Sequence, residues 1–163
     1  MFKKFKFLSV VSALLISITV LLAGCAGSSV PYKKGDTYKD NDKNFIEVTA
    51  DNEWRVKGPQ NYEAFYKVEQ TEYKGGAYSI ISITLKEKTT HTAPWLIKSS
   101  DEYYIIVPSE KGFNWVNVGS SHPNDTKWEK LKSELEKTSD QEALLKKEFE
   151  NNKKTLKKFE KTN

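Results

Sequence analysis

From Asn44 to Gly119 the chain runs through short segments rich in Tyr, Phe, Trp, Val, Ile and Thr, each closed by turn-forming residues, and this pattern restricts the fold more than any other feature. Strands are expected near 45–50, 53–57, 63–73, 77–89, 95–99, 102–107 and 113–118. The connections are short: Asp51-Asn52, Gly58-Pro59, Lys74-Gly75-Gly76-Ala77, Ser99-Ser100-Asp101 and Ser109-Glu110-Lys111-Gly112. A parallel pair needs a crossover of a dozen or more residues, so neighbouring strands must be antiparallel. The glycine pair at 75–76 is the strongest hairpin signal, because glycine accepts the positive φ of a tight primed turn. Ile81, Ile83 and Leu85 alternate with Ser82, Thr84 and Lys86, as in a strand with one buried and one wet face. The expected class is mainly β with a C-terminal helix: an antiparallel meander of six to seven strands forming a sandwich or open barrel. A lipocalin-like barrel is the alternative.

The last 39 residues, Asp125 to Asn163, hold no Gly or Pro and are dominated by helix formers. Thr126 with Glu129 reads as a capping box, and Ser139 with Glu142 repeats it, so one helix or a broken pair is expected. Trp128, Leu131, Leu135, Leu145, Phe149, Leu156 and Phe159 fall on one apolar seam of 3.5-residue period. Such a seam packs against the sheet or holds a partner helix. The final turns carry Lys153, Lys154, Lys157, Lys158 and Lys161 against Glu160 alone, a candidate contact with anionic lipid.

At the other end Lys3, Lys4 and Lys6 precede a charge-free run from Phe7 to Leu22, and Leu22-Ala23-Gly24-Cys25 closes it. Sixteen residues are short for a membrane span, which needs about 20, so a cleaved signal is the better reading. The closing residues resemble the lipobox of bacterial lipoproteins. The resemblance implies a signal peptide over residues 1–24, cut after Leu22, Ala23 and Gly24, with diacylglycerol on the Cys25 thiol and further acylation (palmitate) as its anchor. Two acyl chains hold stably where one is marginal. The expected location is the outer face of the cytoplasmic membrane of a Gram-positive cell. Residues 25–43 then read as a lipidated flexible tether, holding on the order of 20–25 Å of slack by random-coil scaling. A β-rich domain over 44–124 and the helical segment over 125–163 complete the layout.

Charge excludes one class of partner. Of 26 basic residues three precede the apolar run, which leaves 23 bases against 22 acids, and Arg55 is the only guanidinium. Bidentate readout of phosphate or base edges has almost no material, so nucleic acid is not an expected partner. Catalytic chemistry is equally thin. His91 and His122 stand outside any catalytic motif, and no phosphate loop, nucleophile elbow or zinc-ligand spacing is present. Asp40, Asp42 and Asn44 have the spacing that opens a calcium loop, but Phe45 stands where that loop needs Gly and Asp51 where it needs a bidentate Glu. No enzyme, cofactor or metal is expected.

What remains is aromatic: twelve rings between Asn44 and His122. Adjacent pairs such as Phe65-Tyr66 and Tyr103-Tyr104 must point to opposite faces of a strand. Surplus rings on a sheet face are good recognition material, and Tyr66, Trp95, Tyr103, Tyr104 and Trp115 are the candidate ligand contacts; the same rings could equally fill both sides of a sandwich or barrel. The basic Met1-to-Lys6 leader, the Leu22-to-Cys25 motif and the Tyr- and Trp-rich strands together resemble the lantibiotic immunity lipoproteins of bacilli, including the subtilin immunity lipoproteins. That resemblance implies a binding protein that intercepts a cationic antimicrobial peptide at the membrane without catalysis. Residues 26–126 carry 14 acids against 12 bases, which suits such a peptide. The other class open to this sequence is a non-catalytic adaptor for an envelope protein complex, using the C-terminal seam.

Overall fold

A computed structural model describes residues 30–95, 97 and 100–163. Its strands are β1 (Thr37–Asp40), β2 (Phe45–Ala50), β3 (Glu53–Lys57), β4 (Glu63–Gly75), β5 (Tyr78–Lys88), β6 (Glu102–Ser109), β7 (Gly112–Ser120) and β8 (Lys157–Lys161). Two helices, α1 (Lys127–Lys137) and α2 (Gln141–Asn151), stand between β7 and β8. Every strand pairs antiparallel with the next, and β8 pairs with both β7 and β1, so the meander closes into a barrel. The expected sandwich or open barrel is corrected accordingly: eight strands among the described residues, with no open edge.

Six of the seven expected strands are present as β2 to β7. The seventh, at 95–99, is not a strand where it is described: Trp95 lies in a bend and Ile97 in irregular chain, and Leu96, Lys98 and Ser99 fall outside the described residues. Pro94 and the inward turn of Trp95 take this stretch off the sheet edge. The two unexpected strands close the barrel. β1 lies in the stretch expected as tether, where Tyr32, Asp36, Tyr38 and Asp40 are all buried. β8 lies in the Lys-rich end expected to be helical. Each brings a single large apolar ring, Tyr38 or Phe159, and takes its conformation from the ladders on either side.

Period-2 alternation sorts side chains to two cores. Trp54, Tyr66, Tyr104, Phe113, Trp115 and Phe159 fill the barrel interior. Their outward neighbours Ile80, Ile105, Val116 and Val118 form a second core beneath α1 and α2, to which the helices contribute Trp128, Leu131, Leu135, Leu145 and Phe149. The apolar seam is therefore spent on this protein's own sheet. Helix ends differ from the capping boxes read in the sequence. Thr126 precedes α1 without a side-chain cap bond, and Asp140 rather than Ser139 caps α2, accepting from Ala143 N at 3.0 Å.

Two glycines are required by close approach. A Cβ on Gly112 would collide with the Phe159 carbonyl oxygen, so β8 reaches β7 here only because residue 112 has no side chain. A Cβ on Gly75 would stand 2.5 Å from Glu142 N, where the start of α2 sits on the β4–β5 hairpin. The neighbouring Gly76 has φ +56°, as its tight turn demands.

Candidate functional site

The described residues begin at Val30, so Leu22, Ala23, Gly24 and Cys25 lie outside them, as does the rest of the leader. Val30 itself packs against the barrel interior and Tyr32 plugs one mouth, edge-on to Trp54 with centroids 4.8 Å apart. Val30 stands five positions after Cys25. Of the stretch expected as a tether over 25–43, Tyr32 to Asp40 are part of the fold, and residues 25–29 lie outside the described residues.

The opposite mouth is closed by Trp95. Its indole N–H donates to Asp40 Oδ2 at 2.9 Å, and Tyr66 Oη lies 3.2 Å from its backbone N and 3.4 Å from its carbonyl. Asp40, whose side chain has no exposure, also accepts from Asn44 Nδ2 at 2.7 Å and from the backbone N–H of Asp42 and Asn44, both at 2.9 Å. This is the use of the Asp40-Asp42-Asn44 spacing: Asp40 ties its own hairpin together and latches Trp95. Among the described residues no group of three or more His, Cys, Asp or Glu is placed to hold a metal ion.

Four of the five candidate ligand contacts are interior residues. Tyr66, Trp95, Tyr104 and Trp115 have between 0% and 7% exposure, Trp115 stacks on Trp54 at 6.0 Å and on Tyr104 at 4.4 Å, and a ligand could not touch them without opening the barrel. Tyr103 faces outward but is stacked on Trp128 at 3.8 Å beneath α1. The rings fill both sides of a curved sheet because helices cover the far side. Burial raises the Tyr66 phenol to about 12, against a weaker lowering by its bond to the Trp95 backbone. Burial, followed by the Glu102 carboxylate that accepts its O–H at 2.7 Å, pushes Tyr104 up further. Neither phenol ionises near neutral pH. His91 and His122 are exposed, on the β5–β6 and β7–α1 loops respectively.

The five C-terminal lysines divide. Lys161 turns to Asp36 at 2.7 Å and Lys157 to Asp42, with Asp40 at 3.7 Å. Lys153 pairs with Glu150 at 2.5 Å. Lys154 and Lys158 are exposed and make no ion pair among the described residues. The physical reason is that β8 is a strand: residues 157, 159 and 161 share a face, and that face looks into the barrel. Asp36 is where this shows electrostatically. Burial pushes its carboxyl up, but hydrogen bonds from Lys161, Tyr38 and the Lys33 N–H outweigh it and hold it below the usual carboxylate range. The sequence carried a signal for this pairing that reading for helix missed. Asp36-Thr37-Tyr38-Lys39-Asp40 and Lys157-Lys158-Phe159-Glu160-Lys161 are two charge–aromatic–charge strands of opposite sign.

No solved structure matches this chain. An uncharacterized protein of Bacillus anthracis is 55% identical over 164 residues, which cover 100% of both chains. A family model, described as a family of unknown function (DUF5512), matches residues 24–163, the whole described fold with the segment that precedes it. By that match the chain belongs to the DUF5512 family.

Proposed function

We propose that this protein is a lipid-anchored binding protein of the outer face of the cytoplasmic membrane, which sequesters a cationic antimicrobial peptide of the lantibiotic type and does so without catalysis. One observation carries the reading. Val30 already packs against the barrel interior five positions after Cys25, so acyl chains on Cys25 would keep the packed barrel close to the headgroups. A barrel held that close to the bilayer is placed to meet a membrane-active peptide where it acts.

The binding surface differs from the one expected from sequence. An eight-stranded barrel is wide enough either to be filled by side chains or to hold one small ligand as lipocalins do. Here Trp54, Trp115, Phe113 and Phe159 take the space, so recognition belongs on the outer face of β2, β3 and the first half of β4, away from the Tyr73 end of β4 on which α2 packs. Glu47, Arg55 and Phe65 lie in one cross-strand row there. Arg55 stands 5.8 Å from the half-buried Phe65 ring and pairs with Glu63 at 2.6 Å and Glu47 at 3.8 Å. A cationic amphipathic peptide would take over these carboxylates and set an apolar residue on Phe65. Exposed pairs of this kind are weak enough to exchange partners.

Deletion of the gene should sensitise cells to one cationic peptide, with protection restored by the wild type and lost in Cys25→Ser and in the surface double variant Glu47→Lys/Phe65→Ser. Unchanged inhibitory concentrations across a panel of cationic peptides would contradict the reading.

A further inference from the structure

Closure of the barrel by β8 brings C-terminal lysines beside N-terminal ones that are distant in sequence. Lys39 on β1, Lys43 in the β1–β2 turn and Lys158 on β8 line a hollow of about 440 Å³ together with Asp40, Asn41 and Glu160. All three lysines are exposed and make no ion pair among the described residues. Strand alternation makes this possible. Lys157 and Lys161 turn inward to Asp42 and Asp36, so the outward positions of β8 are Lys158 and Glu160, and Lys39 lies opposite Glu160 in the ladder. Asn41 Oδ1 accepts from Lys158 N at 3.2 Å, which leaves the Asn41 amide N–H groups to the hollow.

We propose that this β1–β8 seam is a docking face for anionic phospholipid headgroups, with Lys39, Lys43 and Lys158 as the contacts and Lys154, one turn before β8, extending them. Two arguments select a lipid surface over another anion. The seam is an open, shallow face whose three exposed lysines meet one exposed acid, Glu160, since the Asp40 side chain is turned into the fold, and that excess of positive charge is complementary to a sheet of phosphates. Val30, which packs on the barrel, also stands five residues from Cys25, a reach of at most about 18 Å at full extension. The second argument rests on the anchored reading above, and the first does not. The seam then fixes how the anchored barrel lies: on its β1–β8 side, with the β2–β4 face turned away from the bilayer edge and free for a peptide. The basic contact surface read from the C-terminal lysines alone is revised in membership. Lys157 and Lys161 leave it, and Lys39 and Lys43 enter.

Residues 30–163 contain the eight strands and two helices described above, so a chain starting at residue 25 with Cys25→Ser keeps those elements and removes the acyl anchor. Co-sedimentation with phosphatidylglycerol/phosphatidylcholine vesicles should show binding that is absent with phosphatidylcholine alone and weakens between 0.05 and 0.5 M salt, on the order expected as the Debye length contracts. Each lysine near such a surface contributes about fivefold, so Lys39→Gln/Lys43→Gln/Lys158→Gln should lose on the order of a hundredfold. The control Lys127→Gln/Lys130→Gln/Lys147→Gln changes the same net charge on the helix side and should lose far less. Near-UV circular dichroism checks that both variants are folded. No binding by the parent chain, equal loss in both triple variants, or equal binding to neutral vesicles would overturn the proposal. So would competition by millimolar inorganic phosphate without salt dependence, which would mark a site for the free ion. Failure of Cys25 acylation in cells would sink the anchored reading and leave the vesicle result standing.

Discussion

Phe159→Ala tests how the chain ends. Phe159 is 1% exposed, stacked on Phe113 at 4.4 Å and 15°, edge-on to Trp115 at 4.4 Å and within 6.1 Å of Trp95. It is the one large apolar side chain that β8 sends into the barrel. Removing a ring from such a site costs about 3–5 kcal/mol in lost transfer energy and cavity. For a domain of this size each kcal/mol shifts the melting temperature by about 3–4 °C, so a fall of roughly 9–20 °C is expected. Near-UV circular dichroism is the suitable assay, because Trp54, Trp95 and Trp115 report on the interior. Phe159→Leu, which keeps most of the volume, should lose about 1–1.5 kcal/mol. If the helix instead continued through residue 159, the ring would lie on a frayed terminal turn. A loss for Phe159→Ala below about 1 kcal/mol would therefore refute closure of the barrel by β8.

Two other perturbations address the charged ends of the interior. Asp36→Asn removes a carboxylate whose folded-state pKa is held down, chiefly by Lys161 and Tyr38 against the opposing effect of burial. A depressed carboxylate stabilises above its unfolded pKa of about 3.9 and loses that contribution as pH falls through the lower folded value. The wild-type advantage in urea midpoint should hold above about pH 5 and shrink steadily below pH 4, and a gap independent of pH would contradict the ion pair. Asp40→Ala leaves the Trp95 indole, the Asn44 amide and two backbone N–H groups short of an acceptor, so a loss of about 2–4 kcal/mol with a red-shifted tryptophan emission is expected. Asp40→Asn should recover part of it, and an unshifted emission in Asp40→Ala would show that Asp40 does not hold Trp95 in the barrel mouth.

The middle of this fold is legible in sequence because β2 to β7 carry several alternating apolar residues each, and because Gly75-Gly76 and the short connections leave only antiparallel neighbours. The closing strands are not, for a physical reason. Tyr38 and Phe159 are the sole large apolar residues of β1 and β8, and single rings among Lys, Asp and Glu give neither helix nor strand periodicity. Their conformation is imposed by the ladders on either side, one of which joins them to each other across more than a hundred residues. Aromatic direction was hidden likewise. Alternation states that Tyr103 and Tyr104 part company, but only closure determines that Tyr104 faces the barrel interior and Tyr103 faces α1. The helix pair was visible from the break near Ser139 and the seam from its spacing, and the partner of that seam is the outer face of β4 to β7 rather than a second protein.

The central claim, that this barrel works from a lipid anchor, is tested most directly by the intact mass of the native protein extracted from cells with detergent. The account predicts a chain that starts at Cys25 and carries diacylglycerol on its thiol, partitions with the membrane, and is replaced by unprocessed precursor in Cys25→Ser. A mature chain recovered from the medium with a free Cys25 thiol, or a membrane-bound chain still holding residues 1–24, would contradict it.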